Sequence, residues 1–300
     1  MYDPDGINPY GRELAAQLAA RYAVTVLTAG DAAWRPAGVR VLAVLPHNGA
    51  SSRAAQALRL LRCWLVVAAL ALLPGQWVVV WSRRDSWVLA AVAWLRRLHL
   101  VVHNPGPRDT LAPSLRRAAT TLVVHSPALA VPRSVVCAHP LYVHWLRAFA
   151  PASVPPHRGV RVLLLGHARP DKGGVPAMPR GVTLVVCGKR PPVGGPGVED
   201  RTSREFVPDA VLAETLLSCD ALLAPYTGAT QSGTVALAVT AGLPVVGYDS
   251  GAIAELAGRD GLVAPGDEAA LTRMLRRVRS LPRPAADPDA TLRDWTAVLG

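Results

Sequence analysis

Three short stretches carry residue types that could bind or react. Arg169-Pro170-Asp171-Lys172-Gly173 follows an apolar run, residues 160–166, that reads as a buried strand. A guanidinium and an ammonium on a loop after a strand can neutralise a diphosphate, the first by forked hydrogen bonds and the second as a point charge. Equally, two such charges could be an ordinary solvated surface. Gln231-Ser232-Gly233 precedes an apolar segment, residues 234–241, that fits a helix. Free N–H groups and the helix dipole favour an anion at that point, and glycine lets it come close. Ser232 could instead be a simple N-cap. The third is His103-Asn104, at the end of the apolar run 100–103. Open α/β sheets bind ligands at the C-terminal ends of their strands, although a lone loop histidine is often only solvated or capping.

The elements that must position these residues follow from the apolar pattern. Residues 221–225 (ALLAP) read as a buried parallel strand, 234–241 as a helix, Gly242 as its terminator and 244–247 (PVVG) as the next strand, which makes one βαβ unit. Upstream, strands are expected at 24–28, 39–44, 77–82, 100–103, 121–126 and 134–139, with helices at 12–21, 53–73 and 86–98. Residues 182–188 read as a strand, 190–201 as a Pro/Gly loop, and Asp267 as the N-cap of a helix running to Ser280. There is no G-x-G-x-x-G fingerprint and no Walker loop.

The stretch 225–255 resembles the donor-binding segment of GT-B glycosyltransferases, specifically the glycosyltransferase family 4 group. The matching features are a proline-ended strand at Pro225, the loop Gln231-Ser232-Gly233, the strand Gly242-Leu243-Pro244-Val245-Val246, and the loop Ser250-Gly251-Ala252-Ile253-Ala254-Glu255. The family's Glu-x7-Glu acids would fall near Ala229 and Leu237, and neither is acidic; a subset with a Ser-Gly loop is the nearer likeness. Residues 169–173 resemble the family's G-R-x-x-P-x-K-G loop. Gly6-Ile7-Asn8-Pro9-Tyr10 resembles its first glycine loop, and residues 103–109 its His-Asn-x-x-Pro-His-Glu segment, with Arg108 and Asp109 in place of the second His and the Glu.

The resemblance implies an α/β GT-B fold, two Rossmann-like doubly wound domains facing a cleft. It implies transfer of a sugar from a nucleotide diphosphate sugar to a hydroxyl acceptor, with retention, without a metal and with no cofactor beyond the donor. Donor contacts would come from Arg169, Lys172, Gln231, Ser232, Gly233, Thr234, Gly251 and Glu255. The catalytic candidates are Glu255, at the sugar or ribose, and His103, on the acceptor side. A degenerate binding protein and a sugar-nucleotide epimerase of the same fold are the alternatives.

Composition adds a partner. The chain has 30 Arg and 2 Lys and a formal charge of +11. Residues 1–150 hold 16 basic residues against 6 acids, and residues 151–300 hold 16 against 15. So uneven a field attracts anionic membrane or lipid diphosphates. No aromatic-interleaved basic stretch supports nucleic acid. Arg53, Arg59, Arg62, Arg83 and Arg84 are the expected membrane-facing set, and the acceptor is expected to be lipid-linked, a polysaccharide or a small molecule. Cys63, Cys137, Cys187 and Cys219 form no C-x-x-C pair and read as reduced core residues. The expected location is the cytoplasm, with contact at the inner face of the cell membrane.

The expected domains are an acceptor domain over 1–150, a linker over 151–159, a donor domain over 160–284 and a tail helix over 285–300 that crosses back to the first domain. No strand is expected before the glycine loop, because Met1 falls directly before Asp3-Pro4-Asp5-Gly6. Asp3 and Asp5 read as turn residues rather than a metal-binding D-x-D. From this follows the expectation that the natural chain starts upstream, or that the first domain has an empty central strand position.

Overall fold

The computed structural model describes residues 2–3, 9–28, 35–43, 53–80, 86–103, 113–167, 172–189, 193–203, 207–228 and 232–300. Arg169, Gln231, Arg83, Arg84 and the segment 104–109 lie outside them, as do the side chains of Arg53 and Arg59. The chain divides into two compact units, Met1–Pro140 with Asp289–Gly300, and Leu141–Pro288.

The first unit is a parallel sheet with helices on both faces. Its elements are β1 (Tyr2–Asp3), α1 (Pro9–Leu18), β2 (Val24–Thr28), β3 (Val39–Ala43), α2 (Arg53–Ala71), β4 (Trp77–Val79), α3 (Ser86–Leu95), β5 (Leu98–Val101), α4 (Pro113–Ala118), β6 (Thr121–Val124) and β7 (Ser134–Val136). The strand order is β3-β2-β1-β4-β5-β6-β7. Side chains alternate along each strand, so the apolar runs feed two cores. Val79, Leu98, Leu100 and Leu122 pack with Cys63 and Val67 of α2 and with Leu89 of α3. Val78, Val101 and Val123 pack on the opposite side with Tyr10, Leu14 and Leu18 of α1. Cys63, Val67 and Ala71 lie four residues apart, which puts them on one buried stripe of α2.

The second unit repeats the plan. It contains α5 (Val143–Phe149), β8 (Val160–Leu165), β9 (Val182–Lys189), β10 (Val198–Ser203), α6 (Asp209–Leu217), β11 (Ala221–Ala224), α7 (Gly233–Thr240), β12 (Val245–Tyr248), α8 (Ile253–Ala257), β13 (Leu262–Val263) and α9 (Glu268–Arg276). Its order, β10-β9-β8-β11-β12-β13, reverses between β8 and β11, where a doubly wound sheet opens a crevice for ligand. The Asp267 carboxylate accepts from the Ala270 N–H and caps α9 as expected. The last helix, α10 (Ala290–Leu299), belongs to the first unit: Trp295 is fully buried there, and Ala138 N donates to the Asp294 carboxylate at 2.7 Å.

Four expectations need correction. Tyr2 and Asp3 do form a strand, paired to β2 on one side and, through Tyr2, to β4 on the other, so Asp3 is a strand residue and not a turn residue. The stretch read as a Pro/Gly loop ends in β10, which pairs with β9 over six residues. Only Val198 in it is apolar. Its charges are satisfied at the sheet edge, where Glu199 binds Arg161 at 2.7 Å and Arg201 at 2.6 Å. The boundary between units falls after Pro140 rather than at 150, because Trp145 of α5 packs into the second unit and donates to Asp209 at the start of α6. Glu255 lies in a short helix, α8, rather than in a loop. All four cysteines are free and buried, as expected.

Candidate functional site

At the β8/β11 switch point of the second unit, the loop after β8 meets the one that leads from β11 into α7. After β8 the chain returns through Lys172 and Gly173, and Gly173 adopts φ +69°. It packs against the Pro225 carbonyl group so closely that a Cβ there would lie 2.9 Å from the carbonyl carbon and nearer still to the oxygen. Only glycine permits both the conformation and the approach. The loop is thereby pinned to the end of β11.

This pinning sets Lys172 over the next residue. Its Nζ lies 3.6 Å from the centroid of the Tyr226 ring, and Tyr226 is 1% exposed. A buried ring face holds a cation by its quadrupole, and so gives a flexible lysine a fixed place. The Tyr226 hydroxyl is 2.7 Å from Thr234 Oγ1, which is 2.7 Å from Ser232 Oγ. Ser232 Oγ also accepts from the Val235 N–H at 3.4 Å and caps α7, so the capping reading is correct. Three hydroxyls share two hydrogen bonds, which leaves one hydroxyl proton for a partner outside the trio. Gly233 has its own reason: a Cβ would meet the Tyr142 hydroxyl at 3.0 Å.

Lys172, Ser232, Gly233 and Thr234 are therefore brought together at the ends of β8 and β11. The cation, the hydroxyls and the first N–H groups of the eight-residue helix α7 form a setting for an anion. Gly251 (φ +59°) and Glu255 stand beyond the end of β12, both exposed. Tyr226 and Tyr142 escaped the sequence reading. Tyr226 directly follows the strand-ending Pro225, and that position was the available signal.

In the first unit, His103 sits just past the end of β5 and its Nε2 donates to the Val80 carbonyl at 2.9 Å. Around it lies an aromatic cluster that the sequence reading also missed. The Tyr10 ring meets those of His103, His125 and His139 at centroid distances of 4.8, 5.3 and 5.3 Å. His125 Nδ1 donates to the Cys137 carbonyl at 2.9 Å, so its neutral form accepts at Nε2, and the Tyr10 hydroxyl donates there at 2.5 Å. His139 Nδ1 donates to the Pro140 carbonyl. Burial, reinforced by the neighbouring imidazoles His139 and His103, pushes His125 well below the usual histidine value. Burial likewise lowers His139 to about 4. The cluster is a neutral wall behind His103, built by residues following β5, β6 and β7 and by the first turn of α1.

Residues 148–280 match the family described as glycosyl transferases group 1. A GDP-mannose:glycolipid 4-beta-D-mannosyltransferase of Xanthomonas campestris pv. campestris is 34% identical over 102 residues, which cover 31% of this chain. The match spans only 28% of that relative's length. Two solved structures cover nearly the whole chain. Anabaena HepE, crystallised with UDP, gives a TM-score of 0.61 at 16% identity over 99% of this chain and 93% of its own. Sucrose-phosphate synthase of Thermosynechococcus elongatus gives 0.62 at 14% identity over 100% and 94%. The fold is GT-B, and residues 148–280, within its second unit, are similar to glycosyl transferases group 1.

Proposed function

We propose that this chain transfers a sugar from a nucleotide diphosphate sugar to a hydroxyl acceptor. The observation that carries the reading is the Lys172–Tyr226–Thr234–Ser232 arrangement at the start of α7. It presents one fixed cation and helix-terminal donors where a diphosphate would lie. The UDP bound by HepE and the GDP-mannose named for the Xanthomonas relative support the donor class. Arg169 and Gln231 join the same site by sequence. Glu255 and Gly251 meet the sugar or ribose, and His103 serves the acceptor.

As the sugar–phosphate bond breaks, negative charge builds on the leaving diphosphate. Donors already in place stabilise that charge without reorganising. The leaving phosphate can itself take the acceptor proton, which gives retention as in family 4. Release of nucleoside diphosphate from a panel of nucleotide sugars, with and without acceptor, is the test. Turnover of one donor supports transfer, conversion of free donor without acceptor indicates an epimerase, and binding without turnover leaves a holding protein.

A lipid-linked acceptor at an anionic membrane fits the first unit's surface. Leu58, Leu61 and Leu65 are each at least half exposed and follow one stripe of α2, Leu72 just past its end is 71% exposed, and Trp94 at the end of α3 is 90% exposed. Arg62 is exposed beside them. An apolar stripe with arginine and an aromatic is the composition of an interfacial helix. Among the described residues no helix is long and apolar enough to cross a membrane. Sedimentation with anionic vesicles should show binding, worth roughly 1 kcal/mol per basic residue engaged, that weakens with salt.

A further inference from the structure

The strands β4, β5, β6 and β7 are neighbours in the first unit's parallel sheet, so their C-terminal ends share one edge. A chain of ring contacts along that edge is anchored on two backbone carbonyls. One belongs to Val80, directly after β4, and the other to Cys137, directly after β7. His103, after β5, donates from Nε2 to the Val80 carbonyl. His125, after β6, donates from Nδ1 to the Cys137 carbonyl. Tyr10 of α1 joins the two. Its hydroxyl donates to His125 Nε2 at 2.5 Å, and its ring meets the His103 ring at 84° with centroids 4.8 Å apart. His139 makes T-shaped contacts with both Tyr10 and His125.

A carbonyl only accepts, so Nε2 of His103 carries a proton and the neutral ring holds its lone pair on Nδ1. That nitrogen can accept a hydrogen bond from a hydroxyl. A half-turn of the imidazole about χ2 would put carbon where each nitrogen now stands, and both functions would be lost. The Val80 bond alone opposes that turn weakly, since one net hydrogen bond favours an orientation by roughly 2- to 10-fold. A T-shaped aromatic pair adds a factor of about the same size, but only while the partner ring is itself held. Tyr10 is held. It is 2% exposed, and its hydroxyl is tied through buried His125 to the end of β7.

We propose that Tyr10 and His125 are positioning residues, which lock the His103 ring so that Nδ1 is the acceptor for the hydroxyl that receives the sugar. The identity of that hydroxyl rests on the transfer reading, while the lock is a property of the free chain. Tyr10 needs its hydroxyl for this, whereas a tyrosine that merely filled the core would serve equally well as phenylalanine. His125 needs an acceptor at Nε2 and no charge, which is the form its burial enforces.

The test uses the full 300-residue chain with isotope-labelled histidine nitrogens. Long-range proton–nitrogen spectra read the tautomer of each ring, with His103 assigned by its absence in His103→Gln. Wild type should show His103 with a protonated Nε2 and an unprotonated Nδ1. In Tyr10→Phe, which keeps the buried ring and so the fold, and in His125→Leu, the two nitrogens should move toward a common averaged value. In His125→Gln, whose amide oxygen can accept from Tyr10, they should stay apart. Release of nucleoside diphosphate from the productive nucleotide sugar, with water as the acceptor, should follow the same order. Tyr10→Phe and His125→Leu should lower kcat roughly 3- to 10-fold at a donor KM within about twofold, and His125→Gln should recover at least about half of that loss. Unchanged His103 spectra in Tyr10→Phe and His125→Leu, or a loss that His125→Gln shares in full, would overturn the proposal. If the wild type turns over no nucleotide sugar, the transfer reading fails on its own and the spectra still decide the lock.

Discussion

Replacing Gly173 by Ala perturbs the candidate donor site at a point where the structure fixes the outcome. The residue sits at φ +69°, which costs an L side chain about 1–2 kcal/mol. A smaller gain of about 0.4–1 kcal/mol from the stiffer unfolded chain offsets part of this. The decisive effect is contact. The new Cβ would lie 2.9 Å from the Pro225 carbonyl carbon and closer still to its oxygen, far inside van der Waals contact, and no rotamer relieves a backbone clash. The loop must lift, and Lys172 leaves the Tyr226 ring, giving up about 0.5–2 kcal/mol of cation–π attraction together with its fixed position. Loss of one preorganised donor costs on the order of 100- to 1,000-fold in turnover. Gly173→Ala should therefore approach the lower end of that range in donor turnover while the unit stays folded by circular dichroism. Gly174→Ala is the control, since its Cβ would meet nothing within 4 Å, and it should stay within about 0.5 kcal/mol of wild type. Wild-type turnover in Gly173→Ala would refute the reasoning.

Further outcomes follow, for Arg169 and Arg190 from the sequence alone and for the others from the geometry. Lys172→Ala and Arg169→Ala should each lower turnover by about 100- to 1,000-fold, against little change for Arg190→Ala, in steady-state rates on the productive donor. His139, His125 and His99 are all held below the ordinary histidine value of 6.5, mainly by burial, with His139 and His99 at about 4. The unfolded chain binds these protons first, so the first unit is at full strength above pH 6.5 and weakens as pH falls from 6.5 toward 4. The loss is on the order of 2 kcal/mol for His139 alone by pH 5, and urea midpoints at pH 7.5 and 5 should show it, with a flatter response in His139→Gln. Glu199→Gln should cost the second unit about 1 kcal/mol in urea denaturation, because both arginines on β8 and β10 lose a charged acceptor.

The sheets were legible because their strands are buried on both faces and read as continuous apolar runs; residues 160–165 and 221–224 needed nothing else. β10 was hidden because an edge strand can be polar, and its Glu199–Arg201 pairing to Arg161 depends on a residue nearly forty positions away. β1 was hidden by its length, since two residues show no period. At the site, Lys172 and Ser232 stood out by type and spacing. The parts that fix them did not, since Tyr226 and Tyr142 become informative only once the fold lays them against Lys172 and Gly233. The neutral Tyr10–His125–His139 wall joins three elements far apart in sequence, and no local pattern announces it.

The central claim is that a diphosphate sits between the loop after β8 and the start of α7. Hydrogen exchange with a saturating nucleoside diphosphate, chosen from UDP, GDP, ADP and dTDP by thermal shift, tests it most directly. Amides of the α7 first turn, residues 233–236, and of the loop around Lys172 should slow on binding, and Lys172→Ala should abolish the change. Protection confined to the first unit, or binding unaffected by Lys172→Ala, would contradict the account.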